Sequence, residues 1–466
     1  MLSLLKKNKE TLVHLFLLLI AIGIIYWPLS FLKYSLKWDT TDGYLPLRYF
    51  LSECLRNGEL PLWQPYTSLG YPFHGDPQSA TWYLPAWVIS ICFGYNMTSI
   101  ELEFIFTLFI AGTGMYFLSK AISISAKTAL LLGMTYIGCG FFVSNAQHFT
   151  WIISAAYLPW IAYCYWQLHN TNKYGYALLT AIFLWLLTTG GYPAFLLTIG
   201  YVLCLFFLVN SIKLLYLKDY KKLVKYLQLN LVIGLAFLLL SAAMILSVLH
   251  VQYGINRGDG LSIEDVLVGP FSFKSCLSLI FPFAVLKNPD FFGADLSMVN
   301  VYIGLLVLVC IPLVFRQKIT TTIVVLLGLV SFFFLLSLGG TTPLRAWLYY
   351  CLPGMNLFRF PALFRIFFII PLIILAGIAL DNYLKNNEKY RAELVKLLIA
   401  LLFVLLAIIG YAIFKNNHAL QLDVLFKNYE QYINESIISR QIIVQGIVQV
   451  VLLFILLAVV IWKGKN

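Results

Sequence analysis

Two aspartates three positions apart, Asp39 and Asp42, head a polar stretch from Trp38 to Trp82 that interrupts a hydrophobic chain. Carboxylates at this spacing can act as a general base for an acceptor hydroxyl, or bind a divalent cation through oxygen. Ahead of an amphipathic helix they are equally ordinary helix caps. The same stretch carries His74, Asp76 and Gln78, which join the aspartates only if the loop folds back on itself. His148, beside Asn145, Gln147 and Trp151, forms a third polar group. A histidine in a loop is commonly just solvated, so each of these is a candidate for lining a site rather than a signature of one. The aromatics Trp63, Tyr66, Tyr71, Trp82, Tyr83 and Trp87 suit a membrane-interface belt, and a minority of them suit stacking on a sugar ring. Arg257, Lys274, Arg359 and Arg365 are suited to an anion: guanidinium groups bind phosphate bidentately. Interfacial snorkelling of the long side chains competes with that reading.

The elements that must position these residues are read from composition. Of 466 residues, 61% are hydrophobic and only 11% charged, where a soluble domain carries roughly 25% charged residues. Apolar runs near the ~20 residues needed to cross a bilayer recur along the chain. They place spans at about 11–32, 98–119, 128–144, 151–168, 174–189, 194–212, 227–249, 299–315, 319–338, 361–380, 394–414 and 441–462. The expected fold is therefore an all-α polytopic membrane protein of about twelve transmembrane helices, forming a single transmembrane domain.

The formal charge of +12 follows the same frame. With the N-terminus inside, the inner segments hold nineteen basic residues against five acids, leaving thirteen bases against fifteen acids outside. That is the positive-inside bias, so the excess charge is a topology signal and not a nucleic-acid footprint. Both termini then lie on the cytoplasmic side. The first span is too long for a signal-peptide core and no small-residue cleavage site follows it, so it reads as an anchor.

Two large segments fall outside, 33–97 and 250–298. Within the first, Tyr44 to Asn57 reads as an interfacial amphipathic helix, with Leu47, Leu51, Cys54 and Leu55 on its apolar face and Arg48, Ser52 and Arg56 on its polar face. Gly58 is placed as its stop. Pro61, Pro65, Pro72 and Pro77 then impose an extended loop, and Trp82 to Phe93 is apolar but too short to span. The eight cysteines are scattered without a CxxC pair and suit burial as small hydrophobes, with Cys54, Cys276 and Cys351 outside where a disulfide is permitted. No acid or base stands near the middle of any span, which counts against an ion-coupled transporter.

The first loop reads Asp39-Thr-Thr-Asp42, then Gly58-Glu-Leu-Pro-Leu-Trp-Gln-Pro-Tyr66, then Leu69-Gly-Tyr-Pro72. This pattern resembles the bacterial YfhO-like membrane proteins. Gln147-His148 followed by Tyr157-Leu-Pro-Trp160, and Phe358-Arg-Phe-Pro-Ala-Leu-Phe-Arg365, resemble the same family. That family is similar in architecture to GT-C glycosyltransferases, which take a sugar from a polyprenyl-phosphate carrier at the outer membrane face. The resemblance implies transfer to an envelope glycan or polymer acceptor at the bacterial cytoplasmic membrane. It assigns Asp39 as base or acceptor-positioning group, with Asp42 assisting or sharing a divalent cation. Arg257, Arg359 and Arg365 would hold the carrier phosphate, while His74, Asp76, Gln78 and His148 would line the sugar or acceptor site. Two departures stand out: the 415–440 loop leaves no room for the extracellular domain of longer relatives, and Gly43 replaces a larger polar residue. A transporter or flippase of a lipid-linked precursor, and a non-catalytic part of an envelope-polymer machine, are the rival readings. Convergence of the outer polar residues separates an enzyme from the last of these.

Overall fold

A backbone surrounded by lipid has no water to satisfy its N–H and C=O groups, so apolar runs of this length must close their hydrogen bonds internally, as helices. The computed structural model describes residues 2–254, 260–285, 289–415 and 438–462. Among them there is no strand, only an isolated antiparallel bridge between Gln64 and Tyr71. The α-helices run α1 Leu2–Ile25, α2 Trp27–Ser30, α3 Leu45–Arg56, α4 Leu84–Cys92, α5 Met97–Ala121, α6 Ala126–Ile137, α7 Gly140–Ser144, α8 Phe149–Thr171 and α9 Tyr174–Gly190. They continue as α10 Pro193–Tyr216, α11 Tyr220–Val251, α12 Ile263–Val266, α13 Pro289–Phe292, α14 Leu305–Cys310 and α15 Thr321–Ser337. The last are α16 Leu344–Cys351, α17 Arg365–Lys385, α18 Asn387–Lys415 and α19 Ile438–Trp462.

Among the described residues, seven helical stretches are long and apolar enough to cross a membrane: Met97–Ala121, Ala126–Ser144, Pro193–Tyr216, Tyr220–Val251, Pro361–Lys385, Tyr390–Lys415 and Ile438–Trp462. Of the other five expected spans, three fall on shorter apolar helices, 174–190, 305–316 and 321–337, and the remaining two fall on α1 and α8. Along α11, Leu231, Leu235, Leu238 and Leu246 are each more than half exposed, and Leu239 is 78% exposed. Rows of bare leucines on a helix are stable only against an apolar medium, which here is the bilayer.

The chain divides into two compact units. The first contains residues 1–137 and 145–261, the second 138–144 and 262–466. In the first, α5 packs on α6 and α8, and α9 on α8 and α11. In the second, α15 packs on α17 and α18 on α19. There, the Gly140 N–H donates to the Tyr302 carbonyl at 2.7 Å, and the Ser144 hydroxyl to the Ser297 carbonyl at 2.9 Å.

The first loop corrects one expectation. The helix forms where the pattern puts it and stops at Gly58, whose φ of +77° suits a residue without a side chain. Its supposed solvent face, however, is turned inward over most of its length: Arg48 and Ser52 are each 1% exposed, with Leu51 beside them, and only Arg56 at its end is exposed. The amphipathic pattern is real, but α5 offers Arg48 a buried carboxylate, and that ion pair overrides the simple polar-out rule. The following stretch is extended as the prolines require, and α4, at nine residues, is too short to span. All eight cysteines are free, so Cys54, Cys276 and Cys351 form no disulfide.

Candidate functional site

Asp39 stands where the chain turns sharply. Trp38 adopts φ +58°, and its carbonyl accepts the N–H groups of Thr41 and Asp42, both at 2.9 Å. A π-helical turn, Thr40–Tyr44, follows and runs directly into α3. Such wide turns recur at functional sites because they re-aim side chains that a regular helix would bury. Asp39 begins this turn without a side-chain capping bond, and α3 is preceded by Tyr44, so neither aspartate serves as the cap of α3. The Thr40 hydroxyl lies 2.9 Å from the Ala146 carbonyl and 3.2 Å from that of Gln147, fastening the turn to the 145–148 segment.

That fastening brings Asp39 to His148. Carboxylate Oδ2 and imidazole Nδ1 are 3.4 Å apart, with the His148 side chain 17% exposed and that of Asp39 62%. His148 also packs against Trp151, the rings tilted by 33° with centres 4.8 Å apart, and its Nε2 lies 3.4 Å from the Gln147 amide nitrogen. An amide N–H directed at Nε2 suits a neutral ring that carries its proton on Nδ1, toward Asp39. Trp151 is followed in space by Tyr192, at 5.8 Å.

Tyr44 carries the second polar cluster to the first. Its hydroxyl donates to Gln78 Oε1 at 3.1 Å and pairs with the Thr150 hydroxyl at 3.0 Å. Burial pushes the Tyr44 hydroxyl up to about 12; the bond to Thr150 opposes this, and the nearby charges of Asp39 and Tyr192 add to it. Gln78 in turn donates its backbone N–H to the Asp76 carboxylate at 2.8 Å. Burial raises the Asp76 carboxyl above its ordinary range, against the hydrogen bonds from Gln78 and Tyr71. The loop thus folds back, and Asp39, His148, Gln78 and Asp76 belong to one connected network. His74 lies to one side: its Nδ1 is 2.8 Å from the Leu62 carbonyl, and its ring faces His250 at 5.9 Å. Asp42 is exposed and takes the Thr41 hydroxyl at 3.2 Å.

Beneath this network sits a group that the loop pattern alone does not reveal. Arg48 pairs with Glu103 at 3.4 Å, both almost wholly buried, and the Tyr95 hydroxyl donates to the other Glu103 oxygen at 2.7 Å. The guanidinium also faces the rings of Tyr83 and Phe149 at 5.8 and 5.9 Å. Burial alone would lower the Arg48 pKa; Glu103, Tyr95 and Tyr83 together outweigh it and leave the group raised. The available sequence signal was an arginine on α3 and an acid just inside an apolar span. Tyr44 and Thr150 were likewise missed, because hydroxyls that bridge distant loops leave no periodic trace.

In the second unit, Phe360 holds a left-handed φ of +66° while its N–H donates to the Val268 carbonyl at 3.1 Å. Gly269 makes room for its ring: a Cβ there would stand 2.8 Å from Phe360 Cδ1. This clasp starts α17 at Arg365, which is fully buried, faces the Phe141 ring at 5.2 Å and donates from Nη2 to the Ser297 carbonyl. Its Nε and Nη1 have no hydrogen-bond partner. Arg345, also missed, donates to the Met355 and Phe358 carbonyls at 2.7 and 3.0 Å, leaving its Nε and Nη1 idle. Burial lowers the Arg345 pKa to about 10. Arg359 is half-buried beside the Phe360 ring with its Nε idle. Arg257 lies outside the described residues.

Among the described residues no three His, Cys, Asp or Glu side chains stand together as metal ligands. A cation at Asp39 and Asp42 would have to complete its shell from substrate and water, since the Asp39 carboxylate is already engaged by His148. No family model, curated protein or solved structure matches the chain.

Proposed function

We propose that this chain is a GT-C-like membrane glycosyltransferase of YfhO type, moving a sugar from a polyprenyl-phosphate carrier to an envelope acceptor at the extracytoplasmic face. This reading includes the twelve-span count and the placement in a bacterial cytoplasmic membrane with both termini inside. The observation that carries it is the contact of Asp39 with His148: an exposed carboxylate in the first loop, oriented through one oxygen and open to a substrate hydroxyl. A carboxylate held in this way is a suitable general base.

In the proposed step the acceptor oxygen attacks the anomeric carbon and its proton passes to Asp39. The bond from that carbon to the phosphate oxygen breaks, and polyprenyl phosphate leaves with the electron pair. His148 positions Asp39, and Asp42 assists at the exposed edge. Gln78 and Asp76 present polar groups to the sugar or acceptor, with His74 at the margin. By the family resemblance alone, Arg257, Arg359 and Arg365 are the arginines assigned to the carrier phosphate. Arg365 is fully buried as it stands and donates to the Ser297 carbonyl.

The test is transfer of labelled sugar from a polyprenyl-phosphate donor by the purified, reconstituted protein. Wild type transfers, whereas Asp39→Asn is expected to transfer far more slowly. Equal transfer by wild type, Asp39→Ala and Asp42→Ala would sink the mechanism, and leaflet-to-leaflet movement of the intact lipid-linked donor without transfer would favour a flippase.

A further inference from the structure

The first unit holds a groove away from the Asp39–His148 network, between α4 and the first half of α5, with a volume of about 590 Å³. Leu84, Val88 and Phe93 line one wall and Leu102 and Phe106 the other. Each is more than half exposed, Phe93 at 76%. Glu103 reaches the groove as well, but its charge is already matched by Arg48 and the Tyr95 hydroxyl. The walls are therefore suited to hydrocarbon and not to a polar solute.

One end of the groove is different. Asn96 and Ser99 line it and cap α5 there, each side chain bonding the other's backbone N–H. Gly94, between the groove residues Phe93 and Asn96, lies against the guanidinium of Arg56: a Cβ built on Gly94 would be 2.6 Å from Arg56 Nη1. Arg56 is exposed, and among the described residues no carboxylate forms an ion pair with it. The groove thus has an apolar body and a polar end, and the Arg56 guanidinium stands beside Gly94 in the turn that joins two residues of that end.

Its length suits one occupant. From Asn96 to Phe106 the helix rises about 15 Å at ~1.5 Å per residue, half of a ~30 Å hydrocarbon core. That is the depth of one acyl chain in one leaflet, and a polyprenyl tail overruns it. We infer that this groove binds one acyl chain of an anionic glycerophospholipid, with the lipid phosphate held by Arg56 at the Gly94 end. The inference is independent of the transferase reading: a lipid seated here braces α4 against α5 whatever reaction the first loop performs.

The test reconstitutes the full chain in nanodiscs of phosphatidylcholine with and without phosphatidylglycerol, then releases it into detergent for native mass spectrometry. Wild type is expected to retain phosphatidylglycerol in preference to phosphatidylcholine. Arg56→Gln, an exposed change that leaves the fold intact, is expected to reduce that preference about ten-fold, as befits the loss of a charge-assisted contact. Leu102→Trp fills the groove and is expected to abolish retention of either lipid. Equal retention of both lipids by wild type, or unchanged preference in Arg56→Gln, would reveal annular lipid only and overturn the proposal. Retention in Leu102→Trp equal to wild type would overturn the groove as the seat.

Discussion

Two contacts between a carboxylate and a basic side chain in the first unit have the same separation and opposite surroundings. Arg48 and Glu103 are 3.4 Å apart with side chains 1% and 2% exposed; His148 and Asp39 are also 3.4 Å apart, at 17% and 62%. Separation therefore does not distinguish them, and solvent does. A buried pair has given up hydration, so each charge depends on the other, and removing one partner strands a charge in a medium that cannot solvate it. An exposed pair gains little from association but keeps a carboxylate available to an incoming hydroxyl. The first pair is read as structural and the second as reactive. Arg365 supplies a third case: a guanidinium buried as deeply as Arg48 that forms no ion pair among the described residues.

The largest expected effect is at the buried pair. Glu103→Ala should lower stability by ~3–5 kcal/mol because Arg48 is left uncompensated, and replacing both residues by apolar ones should recover much of that loss. Thermal melts of the two variants check this, and a Glu103→Ala melt matching wild type would remove the structural reading. Next is Asp39→Asn, expected to cut sugar transfer by ~10²–10⁴, the range for a lost general base, while changing stability by no more than ~1 kcal/mol, as for an exposed pair. A variant that lost stability and activity together would erase the contrast. Arg365→Met is expected to raise stability by ~1 kcal/mol, since idle buried donors are costly; a lower melting temperature would show that the Phe141 ring and Ser297 carbonyl suffice to hold it.

The smallest effect is a pH dependence at Asp76, whose carboxyl burial raises. Well below the ordinary carboxylate range both the folded and unfolded chains hold this proton. As pH rises, the unfolded chain releases it first, so the fold loses stability between the ordinary value and the raised one. Asp76→Asn should flatten the stability profile in that window, and an unchanged profile from pH-dependent melts would discount the burial at this site.

The helical class, the short α4, the stop at Gly58 and the isolation of an acidic, histidine-bearing first loop were all legible in the chain. Each depends on local pattern: apolar runs, prolines and turn residues. The candidate site was legible only as separate pieces. Asp39, Gln78 and His148 could be named, but the residues that join them, Thr40, Tyr44 and Thr150, are neutral hydroxyls whose partners lie far along the chain. Arg48 was misplaced for the same reason. Helical periodicity gives α3 two faces, and which of them is buried depends on an acid on another helix.

By itself, then, the amino-acid sequence determined that this is a helical membrane protein with a polar, histidine-bearing first loop, because hydrophobicity and turn chemistry act over short distances. The tertiary structure decided which charges meet. It joined Asp39 to His148 in reach of water and Arg48 to Glu103 out of it, and it left Arg345 and Arg365 buried with donors to spare. Those outcomes depend on packing between distant segments, and that packing sets the solvation that separates an exposed carboxylate from a buried one.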